Sequence, residues 1–60
     1  MTEKEKLEKK GLQVEQVGNL LVVQIKLSHA WTIRIIKSTL TDHDSYFIAR
    51  GDGCVMVTLL

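Results

Sequence analysis

Residues 12–27, LQVEQVGNLLVVQIKL, contain two apolar-rich runs on either side of Gly18-Asn19. The first run alternates between apolar and polar side chains with one slip, as a half-buried β-strand does. A Gly-Asn dipeptide between two such runs is typical of a two-residue hairpin turn, because glycine adopts the backbone angles that the turn requires. The stretch therefore predicts a β-hairpin, and this hairpin sets the class of fold expected for the rest of the chain.

Three more strands are predicted on the C-terminal side of the hairpin. WTIRIIKS (31–38) is predicted as the third strand, SYFIAR (45–50) as the fourth and CVMVTLL (54–60) as the fifth. The polar stretch TLTDHD (39–44) is predicted to be a loop. GDG (51–53) is predicted to be a tight turn between the last two strands, because its glycines tolerate positive φ.

The N-terminal segment MTEKEKLEKK (1–10) is predicted to be either a short charged helix or a solvated tail. Thr2 and Glu5 have the spacing of a capping box, and Gly11 is a natural residue to end a helix. Only Leu7 is apolar, however, and isolated helices shorter than about 12 residues are marginal in water. The chain is expected to be one small domain, with this segment followed by a β-strand core over 11–60.

The predicted fold class is mainly β. A short helix or tail followed by five consecutive strands suggests an antiparallel meander, either as a curled sheet or as a small barrel. This layout resembles that of small SH3-like and Sm-like barrels. The resemblance is carried by element order and length, and it transfers no functional residue.

Several strands are apolar on both faces, which a sheet wetted on one side would not be. Side chains on the expected polar side should therefore be covered by barrel closure or by another copy of the chain. The apolar fifth strand is likewise expected to be paired within or between subunits. The residues predicted to form an interface are Leu20, Val22, Ile36, Ile48 and Met56.

The chain has 60 residues, 45% of them hydrophobic, and a single cysteine. Domains of this size have little core and usually need a disulfide, a metal or self-association for stability. One cysteine excludes an intrachain disulfide, and one Cys with two distant His residues is a poor zinc-ligand set. Self-association is therefore the expected device, and no cofactor or metal is predicted.

The N-terminus is charged, and no run reaches the roughly 18 apolar residues of a membrane span. The lone Cys54 is typical of a reducing compartment. These features predict a cytoplasmic protein without membrane contact. Arg50-Gly51-Asp52 matches the tripeptide that matrix proteins present to receptors, but in such a chain it is expected to be the end of a strand and a turn.

Candidate catalytic and metal-binding residues are few. His29 is expected to be a loop residue whose ring hydrogen-bonds locally or to water, and Cys54 to be a small buried hydrophobic residue at the start of the last strand. Asp42-His43-Asp44 places three potential ligands in a row, but Ca²⁺ needs six to eight oxygen ligands, so turn formation is the favoured interpretation. The chain is therefore predicted not to be an enzyme.

The formal net charge of +1 does not indicate a dedicated nucleic-acid-binding protein. The sequence nevertheless predicts one candidate nucleic-acid face, in which basic side chains and an aromatic ring share the mixed side of the strands. The residues of this predicted face are Lys26, Arg34, Tyr46 and Arg50.

Two functions follow from these patterns. The first is a small, self-associating, non-enzymatic interaction protein that covers or bridges another protein, as small regulatory proteins of bacteria and their phages do. The alternative is a small nucleic-acid-binding barrel that uses its basic and aromatic sheet face.

Overall fold

A computed structural model describes residues 2–41 and 45–60 of the chain. The strands form one antiparallel sheet in the order β1-β2-β4-β3. The fold is a small α+β fold, rich in β structure as predicted but with a second helix and one strand fewer. The elements are α1 Glu3–Lys9, β1 Val14–Val17, β2 Leu20–Gln24, α2 His29–Thr39, β3 Tyr46–Gly51 and β4 Cys54–Leu59.

The N-terminal segment was predicted to be a helix or a solvated tail, and in the structure it forms helix α1 with the capping box present. The Thr2 hydroxyl accepts the Glu5 N–H at 3.2 Å, and the Glu5 carboxylate accepts the Thr2 N–H at 3.4 Å. The Thr2 hydroxyl also donates to the Glu5 carboxylate at 3.1 Å. The hydrogen bond from the Thr2 backbone, and then the one from its hydroxyl, lower the pKa of Glu5 below its ordinary value. The first turn therefore has partners for donors that a helix start leaves unsatisfied.

The C-terminal end of α1 forms a Schellman motif. Gly11 has a positive φ of 88°. Its N–H donates to the Glu8 carbonyl at 3.0 Å, and the Leu12 N–H donates to the Leu7 carbonyl at 3.4 Å. Leu7 and Leu12 are both buried, so the motif closes the helix and attaches it to the core.

Residues 29–39 form helix α2, so the predicted third strand over 31–38 is wrong. Ser28 is the N-cap, and its hydroxyl accepts the Trp31 N–H at 3.1 Å. The Thr32 hydroxyl donates to the Ser28 carbonyl at 2.8 Å, which further ties the first turn together.

The buried positions of this segment have a helical spacing and not a strand spacing. Thr32, Ile36 and Leu40 recur every four residues and are at most 1% exposed. The alternation from Trp31 to Ile35 imitates a strand because β-branched residues fill it. Burial of these three residues, which lie on one side of a helix, outweighs the local preference for a strand.

The sheet has β2 and β4 at its centre and β1 and β3 at its edges. β2 pairs with β4 and not with the strand that follows it, so neither the predicted meander nor the predicted barrel is formed by the described residues. The expectation that the apolar last strand would be paired is confirmed, because β4 has a neighbour on each side.

Both hairpin turns lie where they were predicted. Gly18 has a φ of 59° at the first turn position between β1 and β2, as a type II′ turn requires. Between β3 and β4 the turn residues are Asp52 and Gly53, and Gly53 has a φ of 72°. Arg50-Gly51-Asp52 is thus the end of a strand and the start of a turn.

One hydrophobic core lies between the helices and one face of the sheet. Trp31, Ile33 and Ile35 of α2 pack against it and are half-buried. Neither helix of the described residues is long and apolar enough to cross a membrane. The buried apolar residues are Leu7, Leu12, Val14, Leu21, Val23, Ile36, Leu40, Val55 and Val57.

Candidate interaction surfaces

The face of the sheet opposite the helices is called here the open face. Directly paired residues of an antiparallel sheet point to the same side, so the register defines this surface. It consists of three cross-strand rows. They are Val17, Leu20, Thr58 and Phe47; Glu15, Val22, Met56 and Ala49; and Gln24, Cys54 and Gly51.

The open face is apolar at its centre and in one outer row. Val17 is 69% exposed and Phe47 is 66% exposed. Leu20, Val22 and Met56 are half-buried. A contiguous apolar patch that includes exposed side chains of this size is often an interaction site.

Of the predicted interface residues, the structure brings three together on the open face: Leu20, Val22 and Met56. The other two lie on the opposite side. Ile36 belongs to α2 and is fully buried in the core, so it has no surface to offer a partner. Ile48 pairs with the buried Val57 and is half-buried on the helix-covered face.

Phe47 and Val17 were missed as members of this surface. Neither residue is among the predicted interface residues. Alternation puts Tyr46 and Phe47 on opposite faces of the strand, but it does not say which of the two points inward. Tyr46 packs against the core in the structure, which leaves Phe47 on the open face.

A second surface lies on the other side of the molecule, where α2 meets the edge strand β3. It is an open groove of about 590 Å³ and is called here the basic groove. Arg34 and Lys37 come from α2 and Arg50 from β3. Ala30 and Ile33 form the apolar part of its lining, and Ser38 completes it.

The basic groove contains two of the four residues predicted for a nucleic-acid face. Arg34 and Arg50 lie together in it, although Arg34 reaches it from a helix and not from the predicted strand. Lys26 lies elsewhere, with its ammonium group against Gly11 beside Gln13 and Gln24.

Tyr46, the fourth residue predicted for that face, is half-buried and packs against the core. Lys37 was missed as a groove residue. Helical spacing from Arg34 would have indicated it, since residues three apart are neighbours on a helix surface.

The remaining candidate residues have structural partners or lie outside the described part of the chain. His29 is the first residue of α2 and not a loop residue, and its Nε2 hydrogen-bonds at 2.9 Å to the distant Gly51 carbonyl, which ties the start of α2 to the end of β3. Cys54 starts β4 as predicted, but it is half-buried on the open face beside Gly51 and not fully buried. The predicted turn of residues 42–44 lies outside the described residues, and the described ones contain no group of three potential metal ligands.

No family model matches the chain, and no curated protein or solved structure matches it significantly. Function is therefore inferred from the two surfaces of the chain itself.

Proposed function

We propose that the protein is a small, non-enzymatic interaction module that self-associates by stacking the open faces of two copies. One observation carries this proposal: the sheet is covered by helices on one face, while its other face is apolar and has no cover within the described chain. Water at such a surface is displaced favourably by a second apolar surface, at about 25 cal/mol for each Å² removed from solvent.

The second copy is favoured as the occupant because it presents the same apolar rows as the first. A twofold axis near Val22 and Met56, at the centre of the face, would place the same apolar rows against each other. Face-to-face sheets pack about 10 Å apart with their side chains interdigitated. Glu15 and Gln24 stand near the margin of the patch and would remain in contact with water.

Pairing through the edge strands is the competing mode of association. β1 and β3 each present one unpaired edge, and edges of this kind invite strand addition. Edge pairing would extend the sheet but leave the apolar rows of both copies in water. Face stacking removes them from water, so it is the mode that the distribution of side chains supports.

The size of the face predicts a weak dimer. Four strands about 4.8 Å apart and six residues rising about 3.3 Å each give a surface of roughly 400 Å². This rectangle underestimates the accessible area, because side chains project from the sheet. Two such faces would together bury on the order of 900 Å², which is at the small end of specific interfaces. We therefore expect a dissociation constant in the micromolar range or weaker.

The proposal is tested by sedimentation velocity across protein concentration. The wild-type chain should shift from monomer to dimer as concentration rises. Met56→Glu places a charge at the centre of the face and should keep the chain monomeric, because a buried, unpaired carboxylate is strongly unfavourable. Leu27→Glu is the matched control, since Leu27 is 72% exposed and lies outside the sheet.

A wild-type chain that remains a monomer at every concentration would refute the proposal. Equal weakening by Leu27→Glu and Met56→Glu would place the contact elsewhere on the molecule. Circular dichroism of each variant checks that the fold is retained, and Phe47→Ser offers a milder change on the same face if Met56→Glu does not fold. A regulatory protein partner and a cytoplasmic location remain predictions from the sequence.

A further inference from the structure

We infer that the basic groove binds the phosphate backbone of double-stranded nucleic acid without reading its sequence. The inference concerns the helix side of the molecule and is independent of the open face. It rests on which cations the fold brings together and on what else lines the groove.

The three groove cations come from two elements of the fold. Arg34 and Lys37 lie on one stripe of α2, and Arg50 lies on β3, 13 to 16 residues away in sequence. All three are exposed, and among the described residues none of them forms an ion pair. Like charges that share one groove repel each other, and a bound anion removes that repulsion.

The lining carries no carboxylate among the described residues. An ordinary solvated surface is expected to carry both positive and negative side chains. Helix α1 is an example, because the Lys4 Nζ and Glu8 Oε2 atoms lie 4.0 Å apart on it. Two guanidinium groups, an ammonium group and the Ser38 hydroxyl are donors suited to phosphate oxygens, and guanidinium can bind them through two parallel hydrogen bonds.

A neighbouring groove extends the positive surface. It is lined by Lys6, Lys9 and Lys10 of the α1 end together with Ser38 and Thr39, so the two grooves meet at Ser38. Together they hold six of the chain's eight basic residues. This extended surface fits a ligand with repeated negative charges better than a single small anion. Its positive charge is concentrated in the basic groove, because α1 also carries carboxylates, and the Lys9 charge acts on one of them, Glu5.

Helix electrostatics account for part of this arrangement but not for its centre. Lys6 and Lys9 lie in the last turn of α1 and Lys37 in the last turn of α2, where cations stabilise a helix end. Arg34 is in the middle of α2 and Arg50 is on a strand, so neither is explained in this way. Binding of an anionic ligand would explain why these two arginines lie together.

The absence of an aromatic side chain from the described lining decides the class of nucleic acid. Proteins that hold single strands stack the bases on exposed aromatic rings. Neither groove has such a ring, since Trp31 and Tyr46 are half-buried against the core and Phe47 is on the opposite face. Contact with the backbone of a duplex needs only the cations.

The test is fluorescence anisotropy with a labelled DNA duplex of about 20 base pairs and arbitrary sequence, at salt concentrations from about 25 to 200 mM. The three cations of the basic groove alone predict that log K falls with log salt at a slope of roughly −3, and contacts from the neighbouring groove would make the slope steeper. Arg34→Gln combined with Arg50→Gln should weaken binding by about tenfold or more and make the slope shallower by about two. Lys37→Gln alone should reduce the slope by about one, which keeps the test decisive if the double variant is poorly folded.

Lys26→Gln is the control, because it removes the same charge at a site away from both grooves. Its binding should match that of the wild-type chain. The inference is overturned by no duplex binding at the lowest salt, or by an equal loss with Lys26→Gln. It is also overturned if poly-glutamate binds as tightly as the duplex, because the groove would then be a site for acidic protein.

Discussion

At the scale of single residues, Gly51 has a role that its place in the Arg-Gly-Asp tripeptide conceals. It is the last residue of β3 and pairs with Cys54 across the hairpin. A Cβ atom at this position would lie 2.6 Å from the Cys54 Sγ atom. The glycine therefore leaves room for the cysteine side chain in its present position, and it has no positive φ that would call for glycine.

Gly51→Ala should lower the free energy of unfolding by about 1–3 kcal/mol, because the added methyl group overpacks the site. The same substitution in a Cys54→Ala background should cost much less, since the Sγ atom is gone. Urea unfolding of the two single variants and the double variant gives the coupling energy. Equal costs of Gly51→Ala in both backgrounds would show that the sulfur is not the cause.

At the scale of elements, α2 depends on its N-terminal cap more than its composition suggests. Four of its eleven residues are β-branched threonine or isoleucine within 32–36, and these weaken helices. The Ser28 hydroxyl and carbonyl together satisfy the Trp31 N–H and the Thr32 hydroxyl. The hydrogen bond from His29 to the Gly51 carbonyl then holds this end of the helix against the sheet.

Ser28→Ala should cost about 1 kcal/mol of the free energy of unfolding, since a helix donor loses its acceptor. Ser38→Ala is the matched control on the same helix. Ser38 is exposed, and its hydroxyl donates only to the Ile35 carbonyl at 3.0 Å, so the change should be within about 0.5 kcal/mol. Similar losses for both variants in urea unfolding would contradict the capping role.

At the scale of the whole molecule, the position of the apolar surface matters more than its amount. The accessible surface is 3925 Å², close to the roughly 3,950 Å² expected for a compact monomer of this mass. The molecule therefore has no excess of surface. Association is favoured by the separation of the molecule into a helix side with the basic groove and a sheet side with the apolar open face.

If two open faces stack, stability should depend on protein concentration, because association stabilises the folded chain by mass action. Calorimetry should show a thermal midpoint that rises with concentration for the wild-type chain and stays constant for Met56→Glu. A wild-type midpoint that does not change with concentration would contradict a dimer in this range. Leu27→Glu should behave as the wild-type chain does.

The sequence alone determined the features that depend on near neighbours. The Thr2 capping box, the Gly11 helix end and the two glycine-containing turns are local hydrogen-bond and φ requirements, and each is found where it was predicted. The four strands were also recognisable from apolar runs between these turns.

The tertiary structure alone decided the state of residues 29–39 and the partner of each strand. The segment has a strand's local preferences and a helix's spacing of buried residues, and only packing against the sheet selects between them. Once α2 connects β2 to β3, β4 becomes a central strand, and Arg34 moves from a predicted strand to a groove beside Arg50. Contacts between residues distant in sequence carry this information, because they form only when the whole chain is assembled.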